Sequence, residues 1–159
     1  MATHSVNWRN TWAERWQSLK AGILGAIAAA LMFGILVQLN SIASAQLGWL
    51  AGLPTWGDGL ALLLNGAIAK LSGFLFAVTY RYIIRQDQNP HLKAGAVGAF
   101  GLVRGLALVE MGMHSQATAL ELVMLVVESF LLFGGIRIVL DWALLQGWIK
   151  PFANEQSAK

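Results

Sequence analysis

The chain of 159 residues contains no cysteine, and charged residues make up only 12% of it. The lack of cysteine excludes disulfides, thiolate metal sites, iron–sulfur clusters and thiol nucleophiles. Soluble domains carry about 25% charged residues, whereas 57% of this chain is hydrophobic and its mean hydropathy is +0.58. These proportions predict an integral membrane protein, with residues 1–159 forming a single membrane domain.

Chemistry-bearing motifs are also scarce. The basic residues are spread along the chain instead of forming a patch, so we expect no nucleic-acid partner. His4, His91 and His114 all lie outside the predicted membrane centre, which excludes a haem held by two histidines at the midplane. The chain has no phosphate-binding glycine loop and no Glu-x-x-His pair. We therefore expect no cofactor, no metal and no catalytic residue, and predict that the protein is not an enzyme.

Four apolar stretches approach the roughly 20 residues that a membrane helix needs. They predict an all-α, four-helix membrane bundle with spans at about 21–39, 59–80, 94–113 and 117–138. Residues 139–159 are predicted to form an interfacial extension and a polar tail, and the helical pattern of the fourth span can continue toward Pro151. Lysine and arginine occur in the N-terminal segment, the second loop and the C-terminal end, but not in the first and third loops. This asymmetry predicts that both termini are cytoplasmic, or stromal in a thylakoid.

Tryptophan recurs in the N-terminal segment at Trp8, Trp12 and Trp16. The spacing of four residues places all three on one face of a helix. Residues 7–20 are therefore predicted to form an amphipathic helix in the headgroup region, anchored there by these three side chains. An aromatic stripe that binds a pigment or a partner is the alternative interpretation.

Small residues recur at helical spacing in the first and third spans. The predicted helix-packing residues are Gly22, Ala26, Ala30, Gly34, Gly101 and Gly105, and a second row in the first span holds Ala21, Gly25 and Ala29. Small residues let membrane helices approach closely. The pattern predicts tight packing but leaves open whether each partner helix belongs to this chain or to another one.

Six charged residues lie inside the predicted spans, and two of them, Glu110 and Arg137, are close to the span ends. The other four are Lys70, Arg104, Glu121 and Glu128. Each charge at the centre of a bilayer costs about 2.5–3.5 kcal/mol on insertion scales. Antiparallel spans bring Lys70 and Arg104 to one level, with Glu128 about one turn away. These residues predict an intramembrane charge cluster. It either pairs charges to fix the register between helices or forms part of a proton or ion path.

The stretch YRYIIRQDQNPHLKAGAVGAFGLVRGLA, from Tyr80 to Ala107, resembles small multi-pass membrane proteins of unknown function in cyanobacteria and chloroplasts. The resemblance implies a thylakoid or plasma-membrane location and supplies no functional residues. We expect the partners to be the lipid bilayer and either other membrane proteins or a homo-oligomer. The leading hypothesis is a non-enzymatic accessory subunit or assembly factor of a larger membrane complex. The alternative is a small transporter or channel that uses Lys70, Arg104 and Glu128.

Overall fold

The computed structural model describes residues 8–47, 59–84 and 90–150, and nearly all of them are helical. The helices are α1 (Trp8–Leu47), α2 (Gly59–Ile83), α3 (Pro90–His114) and α4 (Ala119–Leu145). All four are long and apolar enough to cross a membrane. The described residues contain no strand. The predicted all-α, four-helix membrane fold is confirmed.

Helix α1 is longer than predicted, because it joins the expected interfacial segment and the first span without a break. It has 40 residues, which corresponds to about 60 Å at 1.5 Å per residue. The helix does not stop at residue 39, where the predicted span ends, but runs on to Leu47. The hydroxyls of the polar residues that follow bond within the helix, since Ser41 Oγ donates to the Val37 carbonyl at 2.9 Å and Ser44 Oγ donates to the Ser41 carbonyl at 3.2 Å.

The helices alternate in direction, and the most extensive contacts join α1 to α2 and α3 to α4. Helices α1 and α2 approach closely where two glycines face each other. A Cβ atom built on Gly73 would lie 2.7 Å from the Gly25 carbonyl oxygen, and one built on Gly25 would overlap the Gly73 carbonyl oxygen and the Ala77 methyl group. Only residues without a Cβ fit at this crossing, so the small-residue pattern sets the distance between the two helices.

Aromatic side chains fill the centre of the bundle. The ring centroid of Phe76 lies 5.3 Å from that of Phe100 and 5.2 Å from that of Phe133, and Tyr80 stacks on Phe76 at 5.5 Å. Phe76, Phe133 and Tyr80 are all at most 1% exposed. These four residues, here called the aromatic cluster, join α2, α3 and α4 in one layer of packed rings.

The two ends of the bundle differ in their polar residues. The end that holds the start of α1 and the end of α4 is called the proximal end, and the end with the α3–α4 turn the distal end. At the distal end, Thr118 and Glu121 form a capping box that starts α4. At the proximal end, Gly147 has a φ of 72° and the Trp148 N–H donates to the Ala143 carbonyl at 3.0 Å. This Schellman-type ending turns the chain back onto the bundle.

The end of α4 also differs from the predicted span boundary at residue 138. The helix runs on to Leu145, in line with the helical pattern that continues toward Pro151. After the turn, Ile149 is 4% exposed and belongs to the hydrophobic core. The segment just past α4 is therefore packed against the proximal end. Residues 151–159 of the predicted tail lie outside the described residues.

Candidate functional site: buried polar groups in the bundle

Two oppositely charged side chains lie near each other inside the bundle. Arg104 of α3 and Glu128 of α4, here called the inner pair, line one cavity and interact electrostatically. Asn65 of α2 lines the same cavity. The centre of a water molecule can reach about 20 Å³ of it, more than the roughly 10–15 Å³ that one ordered water needs. The site can hold water but not a larger solute.

Asn40 of α1 completes the surroundings of the inner pair. It is 7% exposed, and its side-chain amide donates a hydrogen bond to the Glu128 carboxylate. Sequence reasoning missed this residue because the predicted first span ended at Leu39. The informative signal was the helical pattern that continues through the polar residues. With Asn40, side chains from all four helices converge on the inner pair.

The other two members of the predicted charge cluster lie elsewhere. Glu121 is buried near the distal end, where its Oε2 accepts hydrogen bonds from the Thr118 N–H at 2.7 Å and the Thr118 hydroxyl at 3.0 Å. It does not line the cavity. Lys70 is exposed on the outer surface of α2. The four-residue cluster is thus corrected to the pair Arg104 and Glu128, because Glu121 serves helix capping and Lys70 points away from the bundle.

A second buried charge lies at the proximal end. The Arg81 side chain is 2% exposed and forms an ion pair with the Glu14 carboxylate. Its Nη1 donates to the Ser18 hydroxyl at 2.6 Å and to the Glu14 carbonyl at 3.0 Å, and its Nε donates to the Lys150 carbonyl at 2.9 Å. These residues, here called the Arg81 cluster, tie α1, α2 and the segment after α4 together. Sequence reasoning had treated Arg81 only as a loop charge that sets orientation.

Next to the Arg81 cluster, the Asp141 carboxylate of α4 interacts with three side chains. The Tyr80 hydroxyl donates to Asp141 Oδ1 at 2.7 Å, and Lys93 Nζ donates to the same oxygen at 3.1 Å. Arg137 Nε lies 3.6 Å from Asp141 Oδ2. These four residues, here called the Asp141 cluster, link α2, α3 and α4. The aromatic cluster separates them from the inner pair, since Phe100 and Phe133 lie about one turn proximal to Arg104 and Glu128.

The predicted helix-packing residues fall into two groups. Gly22 faces Phe74, Gly101 faces Phe130 and Gly105 faces Val126, so these three glycines lie at helix contacts inside the chain. Ala26 is half-buried, Ala30 is exposed, and a Cβ on Gly34 would meet no atom within 4 Å. Ala30 and Gly34 therefore face outward, and packing of these two residues against a helix of another chain stays a prediction. The neighbouring row of small residues on α1, which includes Gly25 and Ala29, faces α2.

The predicted interfacial anchor lies on the first turns of α1. Trp12 is 68% exposed and Trp16 is 59% exposed, and the Arg15 guanidinium lies 5.6 Å from the centre of the Trp12 ring. The Trp8 side chain lies outside the described residues. Exposed indole rings beside a cation suit the headgroup region, and interfacial anchoring by this segment stays a prediction.

No family model, curated protein or solved structure matches the chain. The resemblance of residues 80–107 to cyanobacterial and chloroplast membrane proteins therefore stays a prediction. Within the described segments, no group of three or more histidine, aspartate or glutamate residues could hold a metal ion. What these polar groups can do is bind one helix to another: the inner pair lies between α3 and α4 with Asn40 of α1 beside it, and the Arg81 cluster and the Asp141 cluster each join three segments of the chain.

Proposed function

We propose that the protein is a non-enzymatic integral membrane protein that binds other membrane proteins, as an accessory subunit or assembly factor of a larger membrane complex. A thylakoid or plasma-membrane location, implied by the resemblance, belongs to the same proposal. The observation that supports the proposal is that the small residues of α1 lie on two different faces of the helix. Gly22 and Gly25 face α2, whereas Ala30 and Gly34 form an outward surface that a helix of another chain can approach closely.

The test is purification of the tagged protein from its native membrane in a mild detergent, followed by mass spectrometry. We expect a complex larger than the monomer. Gly34→Leu should release the partner without unfolding the bundle, because a side chain at Gly34 meets no atom of the chain within 4 Å. Ala61→Leu, at an exposed position on α2, is the matched control. A wild-type protein that purifies as a lone monomer would contradict the proposal.

A second function, a small transporter or channel for protons or ions, has one observation in its favour. The inner pair places two ionisable side chains on the wall of a cavity between the helices, and ionisable residues inside a membrane mark ion and proton paths. Two observations oppose it: the cavity has room for little more than one water molecule, and the aromatic cluster closes the bundle between it and the Asp141 cluster. Flux measurements on the protein reconstituted into vesicles distinguish the two functions. Transport requires a proton or ion flux that Glu128→Gln abolishes, whereas a structural pair predicts no flux in either protein.

A further inference from the structure

Lys70 is a cation at mid-membrane on the outer surface of the bundle. It lies roughly 16 Å along α2 from Gly59 and roughly 19 Å from Ile83, at 1.5 Å per residue. The hydrocarbon core of a bilayer is about 30 Å thick, so both interfaces are farther away than a lysine side chain extends. Snorkelling serves lysines near helix ends, and Lys70 is not one of them.

Within the described segments, Lys70 makes no ion pair and no hydrogen bond. Three acidic side chains of the bundle that could have paired with Lys70 interact with other residues. Glu128 interacts with Arg104 and Asn40, Asp141 with Lys93 and Arg137, and Glu14 with Arg81. An exposed, unpaired charge in lipid is costly, and intramembrane charges of this kind mark sites of function.

The register of α1 against α2 shows which residues lie beside Lys70. Gly22 of α1 faces Phe74 of α2, and Phe33 of α1 faces Gly66. Lys70 lies midway between Gly66 and Phe74, so this register places it level with residues 26–30 of α1. In that range Ala26 is half-buried and Ala30 is exposed, which leaves room for another backbone to approach α1 next to the charge.

We propose that Lys70, together with Ala26 and Ala30, forms a docking surface for a membrane-spanning helix of another protein that carries an aspartate or glutamate at mid-membrane. A carboxylate there meets the lysine in a low-dielectric medium, where attraction between opposite charges is far stronger than in water. The alanines let the two helices come close enough for that contact. The inference rests on the proposed function and names the chemistry of the partner.

The experiment uses the full-length protein and a synthetic transmembrane helix of leucine and alanine with one central glutamate. The chain has no cysteine, so one cysteine added after Lys159 carries a donor fluorophore and the peptide carries the acceptor. Association is measured by energy transfer in vesicles of neutral lipid. We expect the glutamate peptide to bind at least ten-fold more tightly than the same peptide with a central leucine, and Lys70→Leu to remove that preference.

The matched control moves the charge without changing its depth. The double variant Lys70→Leu/Leu71→Lys rotates the lysine by about 100° around α2, away from Ala26 and Ala30, and we expect it to bind the glutamate peptide at least five-fold more weakly than wild type. Ala30→Leu should weaken binding in the same way, by blocking close approach. Equal binding of the two peptides by the wild-type protein, or undiminished binding by the double variant, would overturn the proposal.

Two other occupants would show themselves in the same assay. Energy transfer between donor- and acceptor-labelled copies of the protein, lost in Lys70→Leu, would identify a second copy as the occupant and overturn the proposal of a different protein. Association that appears only with anionic lipid and does not distinguish the peptides would assign Lys70 to lipid and also overturn it. Recovery of a native complex by the Lys70→Leu variant would leave the proposed function standing and refute this inference alone.

Discussion

At the scale of single residues, two arginines near the proximal ends of their helices differ in burial. Arg81 and Arg137 both lie toward the proximal ends of their helices, yet Arg81 is 2% exposed and Arg137 is 30% exposed. Arg81 makes several hydrogen bonds to backbone and side-chain oxygens, so its charge is well satisfied away from water. The positive-inside rule places such residues on one side of the membrane but carries no information about their depth.

This difference predicts unequal costs of mutation. Arg81→Met removes the cation that pairs with the partly buried Glu14 carboxylate, and we expect it to lower the free energy of unfolding by about 3 kcal/mol. Arg137→Met should cost less than about 1 kcal/mol, because Asp141 keeps Tyr80 and Lys93. Unfolding by SDS titration in detergent micelles, followed by circular dichroism, measures both values. Equal losses in the two variants would mean that the Arg81 cluster does not hold the proximal end together.

A second prediction at this scale concerns Glu121, whose two interpretations differ in whether its side chain must be ionised. A member of a charge cluster must be ionised, whereas the capping box that the structure shows works equally with glutamine. We therefore expect Glu121→Gln to cost less than about 0.5 kcal/mol, and Thr118→Ala, which removes the cap, to cost about 1 kcal/mol. The same unfolding titration compares them. A larger loss in Glu121→Gln than in Thr118→Ala would restore Glu121 to an ionic role.

At the scale of the helices, the sequence predicted that the first span packs through small residues but not which row it uses. Gly22 and Gly25 lie three residues apart on neighbouring rows of one helix, and both rows are rich in small residues. Choosing between them requires the direction of the partner helix, which hydropathy alone does not contain. The structure shows that Gly25 and Ala29 face α2 while Ala30 and Gly34 face outward.

Two glycines of α1 therefore respond oppositely to the same substitution. Gly25→Ala places a methyl group against the Gly73 carbonyl and the Ala77 side chain, and we expect it to destabilise the bundle by about 1–3 kcal/mol through overpacking. Gly34→Ala meets no atom within 4 Å and should be neutral or stabilising by up to about 1 kcal/mol, since alanine favours helix. Thermal unfolding in one detergent compares the two. A destabilised Gly34→Ala would show that the outward row is packed within the chain.

At the scale of the whole molecule, the number, order and approximate positions of the helices followed from hydropathy, since four long apolar stretches leave few alternatives. The inner pair could also be predicted from the sequence. A short connection after His114 places Arg104 opposite a position about one helical turn before Glu128. Asn40 was missed because the predicted first span stopped at Leu39, where the apolar run ends, whereas the helix continues to Leu47. Its place beside Glu128 depends on contacts between helices, which local composition does not encode.

Orientation in the membrane is the last prediction, and the absence of cysteine makes it directly measurable. Up-down topology puts the α3–α4 turn at the distal end and the start of α3 at the proximal end, so Ser115→Cys and His91→Cys report on opposite sides of the membrane. Since the basic residues at the helix ends lie on the proximal side, we expect a membrane-impermeant maleimide, added to intact cells that hold the protein in the plasma membrane, to label Ser115→Cys alone. His91→Cys should react only after permeabilisation. The reverse pattern would place the proximal end, with its exposed Trp12 and Trp16, on the non-cytoplasmic side and refute the charge-based orientation.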